Sequence, residues 1–307
     1  MITKAQFSAQ LLHPKYWLIW FFAGLLWLTT RLPLPIQMKM GAGLGRLVHR
    51  FLKKRVHTAQ RNLELCFPEM SEQERQHLVK RNFEETGKAI FDSVNAWWWS
   101  DKRVRQHMDM TGVEHIEQTL NDGNGVVLFA VHALCLEMGP RVLTQESGGY
   151  GVFRPNDNPL LEYLQTRGRL KSAKGMIPKK GAVRGMLETL HMPDLIWYTA
   201  DQDFGPRRAV FAPWFGVEQA ATITAATMLA KQGNAKILPF FVERTDGDKG
   251  YRVVISPPLE NFPGDNELED AKTCNKVVES IISQNKAQYM WLHRRFKTRP
   301  DGQGSLY

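Results

Sequence analysis

Short apolar runs alternate with helical stretches along the chain from about residue 105. The runs are rich in β-branched and aromatic residues and lie between turn-forming residues, which is typical of buried strands. The candidate strands are Gly125–Val131, Gly149–Phe153, Leu195–Thr199, Ala235–Val242 and Tyr251–Ile255. Helical periodicity follows most of them, in Cys135–Gln145, Pro159–Lys171, Gly181–His191, Thr222–Gln232 and Asp270–Ser283. This order predicts an α/β fold with a mixed, mostly parallel sheet flanked by helices.

An apolar segment near the N-terminus, from Tyr16 to Thr30, carries no charge and contains three tryptophans. Tryptophan favours the water–lipid boundary, and basic residues are more numerous after the segment than before it. The pattern predicts an uncleaved, single-pass anchor in residues 1–35, with the bulk of the chain on the cytoplasmic side. A buried helix of a soluble protein is the alternative.

The next segment, Ile36 to Arg61, has apolar residues at helical spacing and many basic residues. It can lie on an anionic membrane surface, or it can pack on a core and expose its basic face to water. The residues Ser71 to Glu74 have the form of a capping box that begins a helix running towards Trp99. We therefore predict a basic, aromatic helical region in residues 36–104 and an α/β domain in residues 105–307.

Composition narrows the class of partner. The chain has 307 residues, a net charge of +9 and only three cysteines. A basic protein favours an anionic partner such as nucleic acid, anionic lipid or an acidic carrier protein. The cysteines are widely separated, which argues against a disulfide framework or a zinc site and fits a reducing compartment.

A candidate catalytic pair follows the first strand, where His132 is separated from Glu137 by four residues. A histidine leaving a buried strand can act as a general base, and a carboxylate brought back by a turn can fix its tautomer. The spacing alone favours a surface histidine and an unrelated helix glutamate, because such spacings are common. Cys135 lies between the two, where a core position is favoured over an acyl-carrying thiol.

Further polar clusters follow other predicted strands, and ligands of open α/β sheets bind at the carboxyl ends of the strands. These clusters supply the candidate residues Arg154, Asn156, Arg169, Asp201, Arg207 and Arg208. The chain lacks a G-x-S-x-G motif and a phosphate-binding glycine motif, which argues against an α/β-hydrolase and against nucleotide chemistry. The segment Asp201-Gln-Asp203 fits a solvated turn better than a metal site.

These motifs occur in an order that resembles a known family. They are His132-x-x-x-x-Glu137, Gly151-Val-Phe-Arg154-Pro-Asn-Asp-Asn-Pro159, Arg167-Gly-Arg169, Asp201-Gln-Asp203-Phe-Gly205-Pro, Phe215-Gly-Val-Glu-Gln-Ala-Ala-Thr222 and Met290-Trp-Leu-His-Arg-Arg-Phe-Lys297. The chain resembles the late acyltransferases of lipid A biosynthesis over nearly its whole length, and within them the lauroyl branch. These enzymes in turn resemble the glycerolipid acyltransferases, which carry H-x-x-x-x-D.

The resemblance implies a reaction and its partners. A fatty acyl chain would pass from acyl carrier protein to a 3-hydroxyacyl hydroxyl of a Kdo-modified lipid IVA at the bacterial inner membrane. No cofactor besides that co-substrate, no metal and no nucleic acid would take part. His132 would be the general base and Glu137 would orient it. Arg169 would stabilise the oxyanion, with Arg154 as the second candidate for this role. The implied substrate-binding residues are Arg154, Asn156, Asp201, Arg207 and Arg208.

Two alternatives remain open. The first is an acyltransferase that acts on another membrane lipid, such as a lysophospholipid or an ornithine lipid. The second is a non-enzymatic, basic membrane-binding protein in which the His132–Glu137 spacing is incidental.

Overall fold

The computed structural model describes residues 1–141, 148–207, 209–247 and 249–307. Helices form most of the chain up to residue 107, and strands appear only after it. The helices before the sheet are α1 (Trp17–Thr29), α2 (Leu34–Phe51), α3 (Lys53–Cys66), α4 (Glu72–Trp98) and α5 (Asp101–Gln106). The later ones are α6 (Val113–Asn121), α7 (Pro159–Arg169), α8 (Ala182–Leu190), α9 (Ala225–Gln232) and α10 (Glu267–Gln284).

In the described part of the chain, seven strands form one sheet in the order β1-β9-β8-β2-β5-β3-β4. Every neighbouring pair is parallel except β8 and β9, which are antiparallel. A separate antiparallel hairpin consists of β6 and β7. The strands are β1 (Met108–Thr111), β2 (Gly125–Ala130), β3 (Tyr150–Phe153), β4 (Gly175–Pro178), β5 (Leu195–Thr199), β6 (Ala209–Trp214), β7 (Val217–Ile223), β8 (Ala235–Arg244) and β9 (Tyr251–Ile255). The predicted mixed, mostly parallel α/β sheet is confirmed.

The sheet is built around β2, whose six residues are all buried between β8 and β5. A strand covered on both faces has apolar residues without alternation, which is why this run was recognisable in the sequence. The five predicted strands are present, but β1, β4 and the β6–β7 hairpin were missed. β1 and β4 are as short as β3 but lack its aromatic residues and have one β-branched residue each, and the bulge at Ala212/Trp214 interrupts the alternation of β6.

The helical region differs from its prediction in one respect. The segment predicted as a single helix from Ile36 is broken at Leu52, where φ is −87° and ψ is 54°, into α2 and α3. The predicted capping box is present, since Ser71 and Glu74 each accept a hydrogen bond from the backbone N–H of the other. The helix that it begins, α4, ends at Trp98.

α2 lies directly against α4. A Cβ atom at Gly45 would run into the backbone of Phe83, so a side chain at this position would force the two helices apart. α4 in turn packs on the sheet, and the hydrophobic core contains residues from the helical region and from the strands alike, including Phe83 and Leu128.

The first helix is packed on one side only. Its inner residues Trp20 and Ala23 pack near Leu160 and Leu164 of α7, whereas Phe21 is 59% exposed and Leu28 is 55% exposed. Within the described ranges, the structure contains no helix with the length and apolar character that crossing a membrane requires. The predicted anchor therefore stays a prediction.

Candidate functional site

The candidate site begins where β2 and β5 end side by side. Ala130 is in register with Thr199, so the residues two positions further along, His132 and Asp201, leave the sheet next to each other. The imidazole Nδ1 of His132 is 2.7 Å from Oδ1 of Asp201. The backbone N–H of His132 also donates to this carboxylate, at 3.1 Å. The register of two parallel strands thus produces a histidine–aspartate pair.

Asp201 is buried, with a side-chain exposure of 0% against 19% for His132. Burial favours the neutral carboxyl, but the charge and the hydrogen bonds of His132 outweigh burial and lower the pKa of Asp201. A carboxylate at Nδ1 holds the ring proton there and leaves the lone pair on Nε2. Nε2 lies 3.4 Å from Oγ1 of Thr199, at the carboxyl end of the sheet. The pair therefore presents a base with a fixed tautomer.

A C-terminal segment holds the histidine loop in place. The backbone N–H of Met290 donates to the carbonyl of His132 at 3.2 Å, and the N–H of Leu134 donates to the carbonyl of Gln288 at 2.7 Å. Asn82 of α4 supports this segment by donating to two of its carbonyls, each at 2.7 Å. The hydroxyl of Tyr289 lies near Asp201 and helps to lower the pKa of that carboxyl. Our sequence reasoning missed the roles of Asn82 and Tyr289, because residues so distant in sequence carry no local pattern.

The predicted pairing of His132 with Glu137 is corrected. Glu137 lies at the end of a turn, directly before a helical segment that begins at residue 138, and its carboxylate faces α7. Its oxygens accept hydrogen bonds from Nε of Arg169 at 3.1 and 3.2 Å, from Nη2 of the same guanidinium, and from Nε1 of Trp97 at 3.0 Å. Burial would raise the pKa of Glu137, but Arg169 and Trp97 outweigh it and the pKa is lowered. Glu137 is thus an ionised partner of Arg169, and Asp201 is the partner of His132.

His132, Glu137 and Arg169 line one cavity of about 270 Å³ on the face of the sheet, with Asp201 buried behind His132. Its apolar wall comprises Leu128, Leu136, Val152, Met176, Leu195 and Trp197. Thr199 and Arg154 line the same cavity, at the carboxyl ends of β5 and β3. Because Leu195 begins β5 and Thr199 ends it, the cavity extends along the strand for roughly 13 Å. Polar and ionisable side chains thus lie at the opening of a cavity whose wall is apolar.

The residues predicted to bind substrate do not share one location. Arg154 lines the cavity and forms an exposed ion pair with Asp157 at 3.3 Å. Asn156 is exposed, and its side chain accepts from the backbone N–H of Asn158, which caps α7. Arg207 is exposed, and Arg208 lies outside the described residues. Asp201 was predicted to bind substrate, and this is corrected because its carboxylate is buried against His132.

Two neighbouring groups are structural. The carboxylate of Asp203 accepts from the backbone N–H and the hydroxyl of Thr298, at 2.7 and 2.8 Å. Cys135 is fully buried, which raises the pKa of its thiol far above the usual range, so it is a core residue as predicted. Among the described residues, no cluster of histidine, cysteine and carboxylate side chains has a geometry that could bind a metal ion.

A family model for bacterial lipid A biosynthesis acyltransferases matches residues 4–298. The chain belongs to this family. It is 46% identical to the lipid A biosynthesis lauroyltransferase of Escherichia coli K12 over 307 residues, which is 100% of both chains. It is 39% identical to the palmitoleoyltransferase of the same organism, again over the full length of both, and 24% identical to the myristoyltransferase, over 98% and 94%.

The protein is thus an acyltransferase of lipid A biosynthesis, as the motif resemblance indicated, and the non-enzymatic alternative is set aside. Among solved structures, the 1-acyl-sn-glycerophosphate acyltransferase PlsC of Thermotoga maritima is 14% identical, covering 82% of this chain and 99% of that one. The TM-score of 0.38 is too low to establish a shared fold, so the predicted likeness to glycerolipid acyltransferases stays a prediction.

Proposed function

We propose that this lipid A acyltransferase moves a lauroyl chain from acyl carrier protein to a 3-hydroxyacyl hydroxyl of Kdo-modified lipid IVA. The observation that carries the proposal is the His132–Asp201 pair at the opening of an apolar cavity that the Glu137–Arg169 pair also lines. The relatives named for lauroyl and palmitoleoyl transfer support an acyl donor, and the net charge of +9 suits an acidic carrier protein and an anionic lipid.

The proposed chemistry is a direct acyl transfer. Nε2 of His132 removes the proton of the acceptor hydroxyl as that oxygen attacks the thioester carbonyl. The C–S bond then breaks, and the thiol of the carrier protein leaves with the proton that His132 has taken up. Asp201 stabilises the imidazolium between these two steps, because its carboxylate is ionised and 2.7 Å away.

Arg169 is the proposed oxyanion donor. Its Nε and Nη2 are bound to Glu137, whereas Nη1 makes no hydrogen bond to any residue that the structure describes. A guanidinium fixed on one side by a carboxylate is a pre-positioned donor for charge that develops in the cavity. Arg154 and Arg207 are the proposed contacts for the phosphates or Kdo carboxylates of the acceptor. Arg208 is proposed for the same role on the basis of the sequence alone.

The inner membrane is the proposed site of action, with the chemistry on its cytoplasmic side. The exposed apolar residues of α1 and the basic residues around them support this location, because such a surface suits an anionic bilayer. A single-pass anchor in residues 1–35 remains the sequence-based form of this proposal.

A transfer assay tests the proposed function. Purified protein is incubated with lauroyl–acyl carrier protein and Kdo-modified lipid IVA, and the lipid is analysed by mass spectrometry. We expect a product heavier by one lauroyl group, and none with His132→Ala. Folded protein that transfers lauroyl only to a lysophospholipid, or to neither lipid, would overturn the proposal.

A further inference from the structure

A second cavity, of about 500 Å³, lies between α1, the end of α4 and α7, outside the site described above. Aromatic and small residues line it together with two cations. The lining residues are Trp20, Ala23, Gly24 and Trp27 of α1, Trp97 and Trp98 of α4, and Leu164, Arg167, Gly168 and Lys171. We call this cavity the tryptophan groove.

The apolar part of the tryptophan groove is open rather than filled. A Cβ atom built on Gly24 would meet no atom within 4 Å, so the α1 side of the groove has space for a ligand. Four indole rings provide a large apolar contact area at low cost in conformational entropy. The chemistry of this lining suits a flexible hydrocarbon chain.

The charged part consists of Arg167 and Lys171, one turn apart beyond the apolar lining. The guanidinium of Arg167 forms no hydrogen bond and no ion pair with any described residue. Lys171 donates to the carbonyl of Trp99 at 3.3 Å, which leaves further ammonium protons available. Its pKa is lowered by burial and by the charges of Arg141 and Arg167, with Asp101 opposing. Two cations that repel each other in this way attract an anion.

The tryptophan groove adjoins the catalytic cavity. Trp97 and Gly168 line both, so the indole of Trp97 forms a wall between them. A Cβ atom at Gly168 would clash with this indole, which shows how closely α7 approaches it. On the edge of the same ring, Nε1 donates to Glu137, the partner of Arg169. A lipid in the groove would therefore be separated from the catalytic cavity by this indole ring.

We propose that the tryptophan groove binds one acyl chain of the anionic acceptor lipid, whose phosphate or carboxylate contacts Arg167 and Lys171. This inference rests on the proposed function, because it names where the acceptor of that reaction is held. The groove binds the chain that stays on the acceptor, and the catalytic cavity takes the chain that is transferred.

Side chains of increasing size, introduced at Gly24, test this proposal. Gly24 is replaced by Ala, Leu and Trp, and the KM values for the acceptor and for lauroyl–acyl carrier protein are measured separately with the full-length protein. Each methylene excluded from an apolar site weakens binding roughly fourfold. We therefore expect the acceptor KM to rise with side-chain size, by about tenfold for Gly24→Trp, with the donor KM unchanged.

Two further variants separate a block from a general defect. Met192→Trp adds a similar side chain at an exposed apolar position after α8, outside the lining of the groove, and should leave both KM values unchanged. Arg167→Gln should raise the acceptor KM, whereas Lys276→Gln, which removes one exposed charge from α10, should not.

The outcomes distinguish a failure of the groove assignment from a failure of the proposed function. If the acceptor KM does not change across the Gly24 series, or if the donor KM rises instead, the groove assignment is overturned. Turnover by the wild-type protein would still support the proposed function. An equal rise in Met192→Trp would also overturn the groove assignment. No turnover by the wild-type protein would instead be a failure of the proposed function.

Discussion

At the level of single residues, the two carboxylates of the site bind different partners. Asp201 is bound to His132, and Glu137 is bound to Arg169 and Trp97. Asp201 is buried and Glu137 is half-buried, and both have a lowered pKa, because each is paired with a cation or a ring that can become one. Asp201 thus positions the imidazole of His132, and Glu137 positions the guanidinium of Arg169.

The role of Asp201 is tested by Asp201→Asn. The substitution keeps the shape but removes the charge that stabilises the imidazolium, so we expect kcat to fall roughly 10²- to 10⁴-fold. The KM for either substrate should change little, because the buried carboxylate cannot contact substrate. Steady-state kinetics provide the measurement, with a thermal melt to establish folding. A variant with near-normal kcat would remove Asp201 from the mechanism.

The role of Arg169 is tested by Arg169→Ala and Arg169→Lys. Loss of an oxyanion donor lowers kcat by about 10²–10³ and affects KM less. Lysine should not restore the rate, because it cannot make the two parallel hydrogen bonds with which arginine binds Glu137. If KM rises and kcat is retained in Arg169→Ala, then Arg169 binds substrate and another group stabilises the oxyanion.

At the scale of helices and strands, the sequence was informative where a strand is long and buried on both faces, as for β2 and β5. It also located His132 and Asp201 at strand ends, and it predicted that such clusters converge on one edge. It could not predict which carboxylate meets which partner, because this depends on strand register and on the approach of α7. The spacing of His132 and Glu137 suggested a local pair, whereas the sheet brings Asp201 from 69 residues away.

One buried network joins α4 to the sheet. Arg244 at the end of β8 binds Glu85 of α4 at 2.7 Å and also binds Asp92, which accepts from the hydroxyl of Tyr251 at 2.6 Å. α4 also carries Asn82, which donates to the C-terminal segment that holds the histidine loop, and Trp97, which donates to Glu137. This network therefore fixes the helix that supports both halves of the site.

The substitution Arg244→Ala tests this network. Removing one partner of a buried ion pair leaves uncompensated charge, so the free energy of unfolding should fall by about 3–5 kcal/mol. Arg184→Ala, which removes an exposed pair with Glu188 on α8, is the control and should produce no measurable change. Urea unfolding supplies both values. Equal stability of the two variants would contradict the structural role of Arg244.

At the scale of the whole molecule, the chemistry lies beside a surface suited to lipid. α1 exposes Trp17, Phe21 and Leu28 on its outer side, next to the tryptophan groove on its inner side. Exposed aromatic and aliphatic residues on one helix face, in a protein with a net charge of +9, suit an anionic bilayer. The acceptor could then enter the site without leaving the membrane.

The double substitution Phe21→Ser and Leu28→Ser tests this surface. Both side chains are exposed, so the fold should be retained, while binding to vesicles that contain anionic lipid should weaken about tenfold or more. Co-sedimentation of the full-length protein measures it, and Met192→Ser, an exposed apolar residue after α8, is the control. If the double variant binds as well as the control does, α1 is not the membrane-facing surface.

We propose that His132 is the base of acyl transfer in lipid A biosynthesis. The most direct measurement is mass spectrometry of lipid A from cells that lack this protein, complemented with the wild-type chain or with His132→Ala at equal abundance. We predict that the deletion removes one secondary acyl chain, that the wild-type chain restores it and that His132→Ala does not. Lipid A that is unchanged by the deletion would contradict the proposed function, and lipid A fully restored by His132→Ala would contradict the role of His132.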